Sequence, residues 1–582
     1  MKELLKLKKY IGRHKWKMMA GLLSLIAVDV FQLFIPQVLK LTIDALAGGA
    51  ATSGLILTYG WWIIIIALGM GVGRFFWRFF IIGSARRIER ELRQEFFSHL
   101  AFLDFPFFDE HKTGDLMAHA TNDINAVRMA LGFGLVILTD IIVLGVAALY
   151  FMFQISPRLS FYALIPLPFL SLVVAFFGQM IRKRFEHVQA SFSELTERVR
   201  ENISGIRVVK FFVQEEPEKQ RFQESSRDYY AKNMKLVKIW GAFFPVIMFI
   251  ASLSQGITFL AGGKMVIFGS VSLGEFVAFS AYLGILIWPM IAIGQAINVF
   301  QRGAASQGRL NRIFATKPEI VNRPGCQRLE RIQGRLVFEN VTFFHNGKSL
   351  PALKEISLKI EPQQLIGITG AIGSGKSTVV NLLLRLYQYQ SGKIILDGRD
   401  ISDYSIESLR AQAAFVPQDS FLFSDTVREN ISFGRPELKN TAEIEKAARI
   451  AAVHEEILSF PRGYETVVGE RGVTLSGGQK QRVALARALL MDRPILILDD
   501  ALSAVDADTE RKILTHLSSE FSKRMAIVIS HRIFAIQDAD LIIVLEQGQI
   551  AEQGKHQALL DMKGRYYEMF KLQQLERELA TK

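Results

Sequence analysis

The sequence has almost none of the covalent or repetitive features that hold small secreted or fibrous proteins together. Cys326 is the only cysteine among 582 residues, which excludes a disulfide framework and a cysteine-based metal site within one chain. No short-period repeat or low-complexity tract is visible. Instead, half of the residues are hydrophobic and the mean hydropathy is positive, which is high for a soluble protein of this size.

Six apolar runs are long enough to cross a bilayer, which takes about 20 residues. They all lie in the first half of the chain, which favours membrane spans over buried soluble helices, and they begin at Met18, Gly54, Leu131, Leu159, Ile239 and Phe276. The basic N-terminus MKELLKLKKYIGRHKWK precedes a run too long for a signal peptide and without an evident cleavage site. We therefore predict that it lies as an amphipathic helix on the anionic inner membrane surface.

The distribution of Lys and Arg predicts the orientation of the spans. Three short connections carry only Lys40, Arg158 and Lys264, whereas the long connections 84–130 and 182–238 are rich in basic residues. The positive-inside rule places both termini and both long connections in the cytoplasm of a multi-pass plasma-membrane protein. The net charge of +13 is then mostly a topology signal, and nucleic acid is not a predicted partner.

Composition changes after about residue 300, which indicates more than one domain. Residues 315–334 are polar, contain two prolines and are predicted to form a linker. Beyond them, short apolar strands such as QLIGITG, ILILD and AIVIS alternate with helical stretches, as in an α/β domain with a buried sheet. The predicted fold is multidomain: an all-α transmembrane domain of six helices (1–314), the linker, and an α/β P-loop nucleotide-binding domain (335–582).

The long cytoplasmic connections carry apolar residues at helical spacing, so the spans are predicted to continue as helical stalks. The segments 107–115 and 212–219 interrupt this periodicity. We predict that these two tips touch the soluble domain.

Residues 370–378 match the phosphate-binding pattern G-x-x-x-x-G-K-[ST] between a strand and the helical run TVVNLLLRLY. Glycines allow a tight turn in which backbone N–H groups and a helix N-terminus face phosphate oxygens. Lys376 is predicted to reach the β- and γ-phosphates, and the Ser377 hydroxyl to ligate Mg²⁺. The predicted ATP contacts in this loop are Gly370, Ala371, Ile372, Gly373, Ser374, Gly375, Lys376, Ser377 and Thr378.

The run ILILDD, residues 495–500, ends in two adjacent carboxylates. Its strand delivers Asp499, which is predicted to hold Mg²⁺ directly or through water; a helix N-cap after the strand is the plainer alternative.

A second glycine-rich cradle, Leu475-Ser-Gly-Gly-Gln479, opens the basic helix KQRVALARALL. Ser476, Gly477 and Gly478 at a helix start are typical of an anion site. Because one nucleotide needs only one P-loop, this cradle is predicted to serve an ATP held by a different subunit.

With these motifs the chain resembles, over essentially its whole length, an exporter-type half-subunit of the ABC transporter family. TGDLMAHATND (113–123) and the region around ENISGIRVVKFF (201–212) also resemble cytoplasmic loops of that family. The resemblance implies a dimer in which two ATP molecules with Mg²⁺ lie between the P-loop of one chain and the LSGGQ segment of the other. It implies that Ser476, Gly477, Gly478 and Gln479 contact the partner's nucleotide.

Three more residues take their roles from this resemblance. Gln418 in FVPQD matches the family's Q-loop glutamine, which senses Mg²⁺ and abuts the membrane stalks. Asp506 ends the segment SAVD, which matches the D-loop that crosses the dimer interface. His531 in VISHR matches the switch histidine at the γ-phosphate; a satisfied loop histidine is the alternative.

The adenine position departs from the family pattern. The family usually has tyrosine where VTFFH has His345, so either His345 or Phe344 must stack on adenine. Stacking needs only a flat π surface. The alternative is that His345 simply ends a strand.

A second departure concerns the residue after the Mg²⁺ aspartate. The family usually has glutamate there, which polarises the attacking water, but this chain has Asp500. One methylene less withdraws the carboxylate by about 1 Å or more, and such misplacement can cost about 10²-fold in rate. Alternatively, a shifted backbone lets Asp500 work nearly as well. The predicted catalytic residues are Asp500, His531 and Gln418; the predicted metal ligands are Ser377, Gln418 and Asp499.

The weak site predicts a heterodimer with a second ABC half-transporter that carries the glutamate, as in heterodimeric bacterial multidrug ABC exporters. Small amphiphilic drugs or other hydrophobic compounds are the predicted substrates. Membrane lipid is also a predicted partner. A lipid or peptide exporter is the nearest alternative, and an ATP-gated channel or regulatory subunit is an alternative of another class.

Four charged residues lie in or beside the apolar spans: Asp29, Arg74, Arg78 and Asp140. Charge is costly there and tends to face a cavity or a partner. Asp140 is the better candidate for a cavity lining, with cationic substrates as one use and structural pairing as the other. Arg74 and Arg78 either snorkel or pair within the bundle.

Overall fold

The computed structural model describes residues 2–50, 52–330, 332–438, 440–469 and 474–580; Arg331 of the predicted linker lies outside these ranges. The described chain forms two compact units. The first contains residues 1–101 and 113–316, and the second contains residues 102–112 and 317–582. The domain boundaries taken from the sequence stay a prediction.

The first unit is helical. Short π-helical turns at Arg78–Ile82, His119–Asp123 and Ala130–Gly134 and a 3₁₀ turn at Lys2–Leu7 extend its helices. In chain order as far as residue 316, the helices are α1 (Lys8–Ala47), α2 (Ser53–Trp77), α3 (Gly83–Phe102), α4 (Phe105–Glu110), α5 (Thr113–Ala118), α6 (Ile124–Met129), α7 (Leu135–Ile155), α8 (Pro157–Leu164), α9 (Leu167–Ser204), α10 (Ile206–Phe211), α11 (Glu215–Ile267) and α12 (Leu273–Ala315). Of these, α4 belongs to the second unit.

Six helical segments among the described residues are long and apolar enough to cross a membrane. They run over Glu3–Ala47, Ser53–Phe102, Thr113–Ile155, Pro157–Ser204, Glu215–Ile267 and Leu273–Ala315. Each has 43 to 53 residues, which is about twice what a bilayer requires. The helices therefore extend well beyond the apolar spans, as the charged helical periodicity predicts.

Local sequence fixes where α12 begins. Ser272 and Glu275 form a capping box, in which each side chain accepts the other residue's backbone N–H. Asp44 near the end of α1 accepts the Ser272 hydroxyl and the Gly274 N–H at 2.9 and 2.8 Å, and Lys40 pairs with Glu275 at 2.9 Å. These bonds tie the end of the first span to the start of the last.

The second unit contains two sheets. The strands are β1 (Leu336–Phe343), β2 (Leu353–Ile360), β3 (Leu365–Gly370), β4 (Ser391–Leu396), β5 (Arg399–Asp400), β6 (Ala413–Val416), β7 (Ile495–Asp499), β8 (Met525–Ile529), β9 (Leu541–Glu546) and β10 (Gln549–Gly554). The helices are α13 (Lys376–Leu383), α14 (Ile406–Arg410), α15 (Val427–Ser432), α16 (Thr441–Ile450), α17 (His454–Ser459), α18 (Gly477–Leu490), α19 (Ala507–Phe521), α20 (His556–Asp561) and α21 (Arg565–Ala580), with 3₁₀ turns at Ile401–Asp403, Gly463–Glu465 and Ile533–Ala535.

The larger sheet has the order β10-β9-β3-β8-β7-β6, and only β10 runs antiparallel to its neighbour. Every residue of β7 and β8 is buried, as expected for parallel strands covered on both faces. The smaller sheet, β2-β1-β4-β5, is antiparallel. The carboxyl ends of β3, β7 and β8 lie side by side, so Gly370, Asp499 and Ile529 share one edge. This architecture confirms the predicted fold class.

The segment 102–112, which contains α4, belongs to the second unit although it lies between helices of the first in sequence. The Asp104 carboxylate accepts the backbone N–H groups of Glu319 and Ile320 at 2.6 and 3.1 Å. Tyr387 donates its hydroxyl to Asp109 at 2.7 Å. Residues 107–112 of the first predicted tip therefore belong to the second unit.

Candidate functional site

The loop between β3 and α13 can be made only with glycine at two positions. Gly370 has φ +143° and an added Cβ would lie 2.1 Å from the Leu545 carbonyl oxygen. Gly375 has φ +97° and its Cβ would lie 2.5 Å from the Ala352 carbonyl oxygen. Gly375 caps α13, whose first N–H groups have no intrahelical acceptor. The glycine spacing in the sequence therefore produces a loop pressed against backbone on one side, with a helix N-terminus at its end.

Side chains in this loop leave polar groups that suit a phosphate ligand. The hydroxyls of Thr369 and Ser374 are buried without a hydrogen-bond partner. Lys376 is buried, and its Nζ donates to the carbonyls of Gly370 and Ala371 at 3.1 and 2.8 Å. Burial lowers the pKa of Lys376, while the Asp500 and Asp499 carboxylates oppose that shift. The helix N-terminus at Gly375 and the buried Lys376 ammonium fit the phosphates of ATP.

The side-chain oxygens of Asp499 and Ser377 lie together at the carboxyl edge of the larger sheet. Asp499 ends the buried strand β7 and is itself buried. Burial raises the pKa of Asp499, while a hydrogen bond from Ser377 and the charge of Lys376 lower it. A carboxylate beside a hydroxyl fits the donor chemistry of Mg²⁺. The residues predicted to hold the ion are thus adjacent, with Gln418 lining the same cavity.

Asp500 follows immediately but in a different backbone conformation. Its φ is +50°, in the left-handed region that Asp tolerates better than most non-glycine residues. Its N–H donates to the Ile529 carbonyl at 2.9 Å, which ties it to the end of β8. Its Oδ2 lies 3.9 Å from Nε2 of His531. Asp500 therefore lies near His531, the predicted switch histidine, and its backbone N–H is hydrogen-bonded to the end of β8.

A cavity of about 360 Å³ brings most of the predicted residues together. It is lined by Asp499, Asp500, Gln418, His345 and His531 together with the loop residues Ile372, Gly373, Gly375, Lys376, Ser377 and Thr378. Within the described residues, the predicted residues that do not line it are Gly370, Ala371, Ser374, Phe344, Asp506 and the LSGGQ residues Ser476, Gly477, Gly478 and Gln479, called the signature residues below.

Of the two candidates for adenine stacking, only His345 lines this cavity. The His345 ring packs edge-on against Phe343 and Tyr387, with centroids 4.8 and 5.3 Å apart. Phe344 is instead held by Gln390, which accepts its N–H at 2.8 Å and donates to its carbonyl at 3.2 Å.

The signature residues form a glycine-rich start to α18, as predicted for a second anion cradle. Ser476 caps α18 and forms a capping box with Gln479, at 3.2 and 2.9 Å. A Cβ on Gly478 would lie 2.8 Å from the Ala504 carbonyl oxygen, so the helix start lies directly against the segment 503–506. Asp506 caps α19 by accepting the Thr509 N–H at 3.0 Å, and this bond lowers its pKa.

Sequence reasoning missed two residues at this site. Gln481 joins the two motifs, because its amide donates to Ser503 at 3.0 Å and accepts the Ala504 N–H at 2.9 Å. Tyr387 joins the His345 ring to Asp109 of α4. Gln481 lies in α18, two positions after the end of the LSGGQ motif. Its closeness to the motif in sequence could have identified it as a candidate. No sequence spacing points to Tyr387, because its partners are distant in the chain.

Known proteins resemble this chain over nearly its whole length. The family profile described as "ABC transporter transmembrane region" matches residues 18–290, and the profile described as "ABC transporter" matches residues 353–503. "Probable multidrug resistance ABC transporter ATP-binding/permease protein YheI" of Bacillus subtilis (strain 168) is 38% identical over 95% of both chains. "Multidrug resistance-like ATP-binding protein MdlA" of Escherichia coli (strain K12) is 37% identical over 97% of this chain and 96% of its own length.

A solved structure described as "Structure of a bacterial Atm1-family ABC exporter with ATP bound" has a TM-score of 0.75 and 29% sequence identity. It covers 97% of this chain and 98% of the solved one. The similarity therefore includes both units.

Proposed function

Because the chain belongs to the ABC transporter family and is an exporter with membrane and ATP-binding domains fused in one polypeptide, we propose that it expels amphiphilic drugs or other hydrophobic compounds across the plasma membrane. ATP hydrolysis drives the transport. In this proposal residues 1–314 form the transmembrane domain, 315–334 the linker and 335–582 the nucleotide-binding domain, with both termini in the cytoplasm. The multidrug names of the two relatives support this substrate class.

The chain works, in this proposal, as one half of a heterodimer whose two ATP sites differ. The observation that carries it is Asp500, whose carboxylate lines the phosphate cavity at the position where the family has glutamate. Its N–H is fixed to the Ile529 carbonyl, so the backbone is not free to advance the shorter side chain. The site binds ATP but hydrolyses it slowly, because a misplacement of about 1 Å can cost about 10²-fold in rate.

The chain's own residues divide the work at that site. The loop N–H groups and Lys376 bind phosphate oxygens, and Ser377, Asp499 and Gln418 would hold Mg²⁺. When bound, that ion would offset the negative charge of the phosphates. His531, 3.9 Å from Asp500, is placed to respond to the outermost phosphate.

The signature cradle has no such defect. Ser476, Gly477, Gly478 and Gln479 are intact and capped, and they complete the ATP site of the partner subunit, which carries the glutamate. Closure of the two soluble domains around ATP is passed to the membrane helices through the cytoplasmic tips, and hydrolysis at the competent site resets the assembly.

Transport in inverted membrane vesicles tests this proposal. Vesicles contain this chain, a candidate partner half-transporter, or both, and ATP-dependent accumulation of a fluorescent amphiphile is measured. We expect accumulation only with both chains. Gly478→Ala in this chain should abolish it, because the new Cβ would lie 2.8 Å from the Ala504 carbonyl oxygen. Asp500→Asn should lower it only slightly, because this chain's own site contributes little turnover.

Gly477→Ala is the matched control for the glycine change, since its Cβ would meet only the Ala504 Cβ at 3.4 Å, and its loss should be smaller. Full transport by this chain alone would contradict the heterodimer. Accumulation of lipid or peptide but of no drug-like dye would favour the alternative exporters. An ATP-dependent ion current without turnover would establish a channel instead.

A further inference from the structure

A cavity of about 440 Å³ lies among the membrane helices of the first unit, apart from the ATP site. Its polar lining consists of Asp29 on α1, Gln32 on α1, Arg74 on α2 and Asp140 on α7. Two tryptophans, Trp77 and Trp288, line it as well. The volume is within the range of about 300–1,000 Å³ that is typical of small-molecule sites.

Both carboxylates in this cavity have an oxygen atom with no partner. Asp29 is 3% exposed, and its Oδ2 is buried without a hydrogen-bond partner. The same holds for Oδ1 of Asp140. Buried polar groups are nearly always hydrogen-bonded, and an ionisable group at membrane depth is costly unless it serves a ligand or an ion pair. Two such atoms in one cavity require an explanation.

Close packing of α1 against α2 lies next to two of these groups. A Cβ on Gly73 would lie 2.5 Å from Cγ2 of Val28, so the two helices are in close contact at the residues directly before Asp29 and Arg74. Both carboxylates lie at the middle of their apolar runs.

Arg74 does not neutralise the pair. It lines the same cavity, yet within the described residues it makes no ion pair within 4 Å to Asp29 or Asp140. Two aspartates and one arginine leave a formal excess of one negative charge in the lining. Aromatic faces beside that charge attract organic cations.

We propose that this cavity binds an organic cation with an aromatic body, and that Asp29 and Asp140 are its charge-recognising residues. This inference rests on the proposed function, because it names the class of amphiphile that the exporter takes. The bare oxygens of both aspartates accept the cation or its N–H groups, Trp77 and Trp288 cover its rings, and Arg74 weakens the site's negative field.

The competing explanation is a structural set in which Arg74 pairs with the aspartates in some state of the transport cycle. The two explanations differ in what Arg74 does to a bound cation. If the aspartates recognise a cation, removing the guanidinium strengthens binding. If the three residues form a fixed structural set, removing any of them weakens the site.

Binding is measured on the full-length chain in phosphatidylcholine nanodiscs without ATP. Ethidium is the cationic probe and Nile red is the neutral aromatic probe. We expect the ethidium Kd to rise roughly tenfold to a hundredfold in Asp29→Asn/Asp140→Asn, the range for a lost charged hydrogen bond. The Nile red Kd should stay nearly constant, and Arg74→Gln should lower the ethidium Kd.

Thr139→Val is the matched control. Thr139 is buried next to Asp140, but its hydroxyl bonds the Leu135 carbonyl of its own helix at 2.9 Å and it does not line the cavity. An unchanged ethidium Kd in the double variant, an equal loss of Nile red binding, or weaker ethidium binding in Arg74→Gln would each overturn the proposal.

The unmodified chain provides a test that does not depend on folding of the variants. Ethidium should quench tryptophan emission, and tetraphenylphosphonium should displace it whereas neutral triphenylphosphine oxide should not. Equal displacement by both compounds would overturn the proposal. Because this assay needs no transport, aspartate-dependent ethidium binding without ATP-driven accumulation would contradict the proposed function and leave the cation site standing. Accumulation of neutral dyes with no ethidium binding would contradict the cation site and leave the proposed function standing.

Discussion

The P-loop and the signature segment use the same chemistry, a glycine-rich turn that opens a helix, but differ in what lies beside them. The P-loop ends at Gly375 in a left-handed conformation and shares its cavity with the shortened acid Asp500. The signature segment starts at Ser476 with a complete capping box and packs against Ala504. Asp500, the departure from the family pattern, thus lies on the side proposed to perform hydrolysis, while the surface proposed to meet another chain keeps the family's motif.

The comparison suggests how a subunit of the proposed kind would retain nucleotide binding while its hydrolysis weakens. In the proposed account, binding uses the backbone N–H groups, Lys376 and the Asp499–Ser377 pair, and these residues lie together in the structure. Hydrolysis, in the same account, needs one carboxylate at one distance. We therefore expect the loss of one methylene to affect hydrolysis and not binding.

The largest expected effect comes from disabling the P-loop alone. In Gly375→Ala the new Cβ would lie 2.5 Å from the Ala352 carbonyl oxygen, whereas in Gly373→Ala it would meet no heavy atom within 4 Å. Both positions have positive φ, which costs a side chain roughly 1–2 kcal/mol. We expect Gly375→Ala to abolish binding of a fluorescent ATP analogue. We also expect it to lower the melting temperature more than Gly373→Ala does.

Equal losses of melting temperature in the two alanine variants would mean that the backbone contact of Gly375 is unimportant. The loop would then owe its shape to φ alone.

A smaller effect is expected from removing the hydrogen bond between Tyr387 and α4, within the second unit. Tyr387→Phe removes the 2.7 Å hydrogen bond to Asp109, which is expected to lower the free energy of unfolding by about 1 kcal/mol and to reduce transport per ATP hydrolysed. Burial and the Asp109 carboxylate raise the pKa of Tyr387, so the phenol stays protonated and donates at physiological pH.

Tyr389→Phe is the matched control for this prediction. Its hydroxyl bonds Asp400 at 3.2 and 3.3 Å and also interacts with Ser402 and the Ile394 backbone, but among the described residues it has no hydrogen bond to α4. Equal coupling losses in both variants would show that the Asp109 contact has no special role.

The smallest expected effect concerns the adenine position. His345→Tyr offers a larger π surface, and a gain of roughly 0.5–1.5 kcal/mol in stacking should lower the Kd of ATP by roughly twofold to tenfold. His345→Ala should raise that Kd. Isothermal titration on the isolated chain measures both. If neither variant changes the Kd, His345 only belongs to the loop after β1, and another group covers adenine.

Much of the fold follows from the sequence because its signals are local. The apolar runs predict the six spans, and runs such as ILILD predict the strands that end at Asp499 and its neighbours. The P-loop spacing predicts a cradle because glycine alone fits at Gly370 and Gly375.

The remaining features depend on long-range packing that no local pattern records. Tyr387 meets Asp109, 278 positions earlier in the chain. Asp29, Arg74 and Asp140 line one cavity because four helices, α1, α2, α7 and α12, meet there, whereas the sequence patterns identify each of these residues separately. The structure also separates His345 from Phe344, which the sequence left as equal candidates.

The most direct test of the central claim is ATP turnover by two copies of the purified chain in each lipid nanodisc, so that each P-loop can meet the other copy's LSGGQ segment, with Asp500→Glu compared with the unmodified chain. Asp561→Glu, which adds the same methylene at an exposed position outside the cavity, is the control. We predict slow turnover that rises by tenfold or more, up to about 10²-fold, in Asp500→Glu, and no rise in Asp561→Glu. Fast turnover by the unmodified chain, with no gain in Asp500→Glu, would contradict the claim.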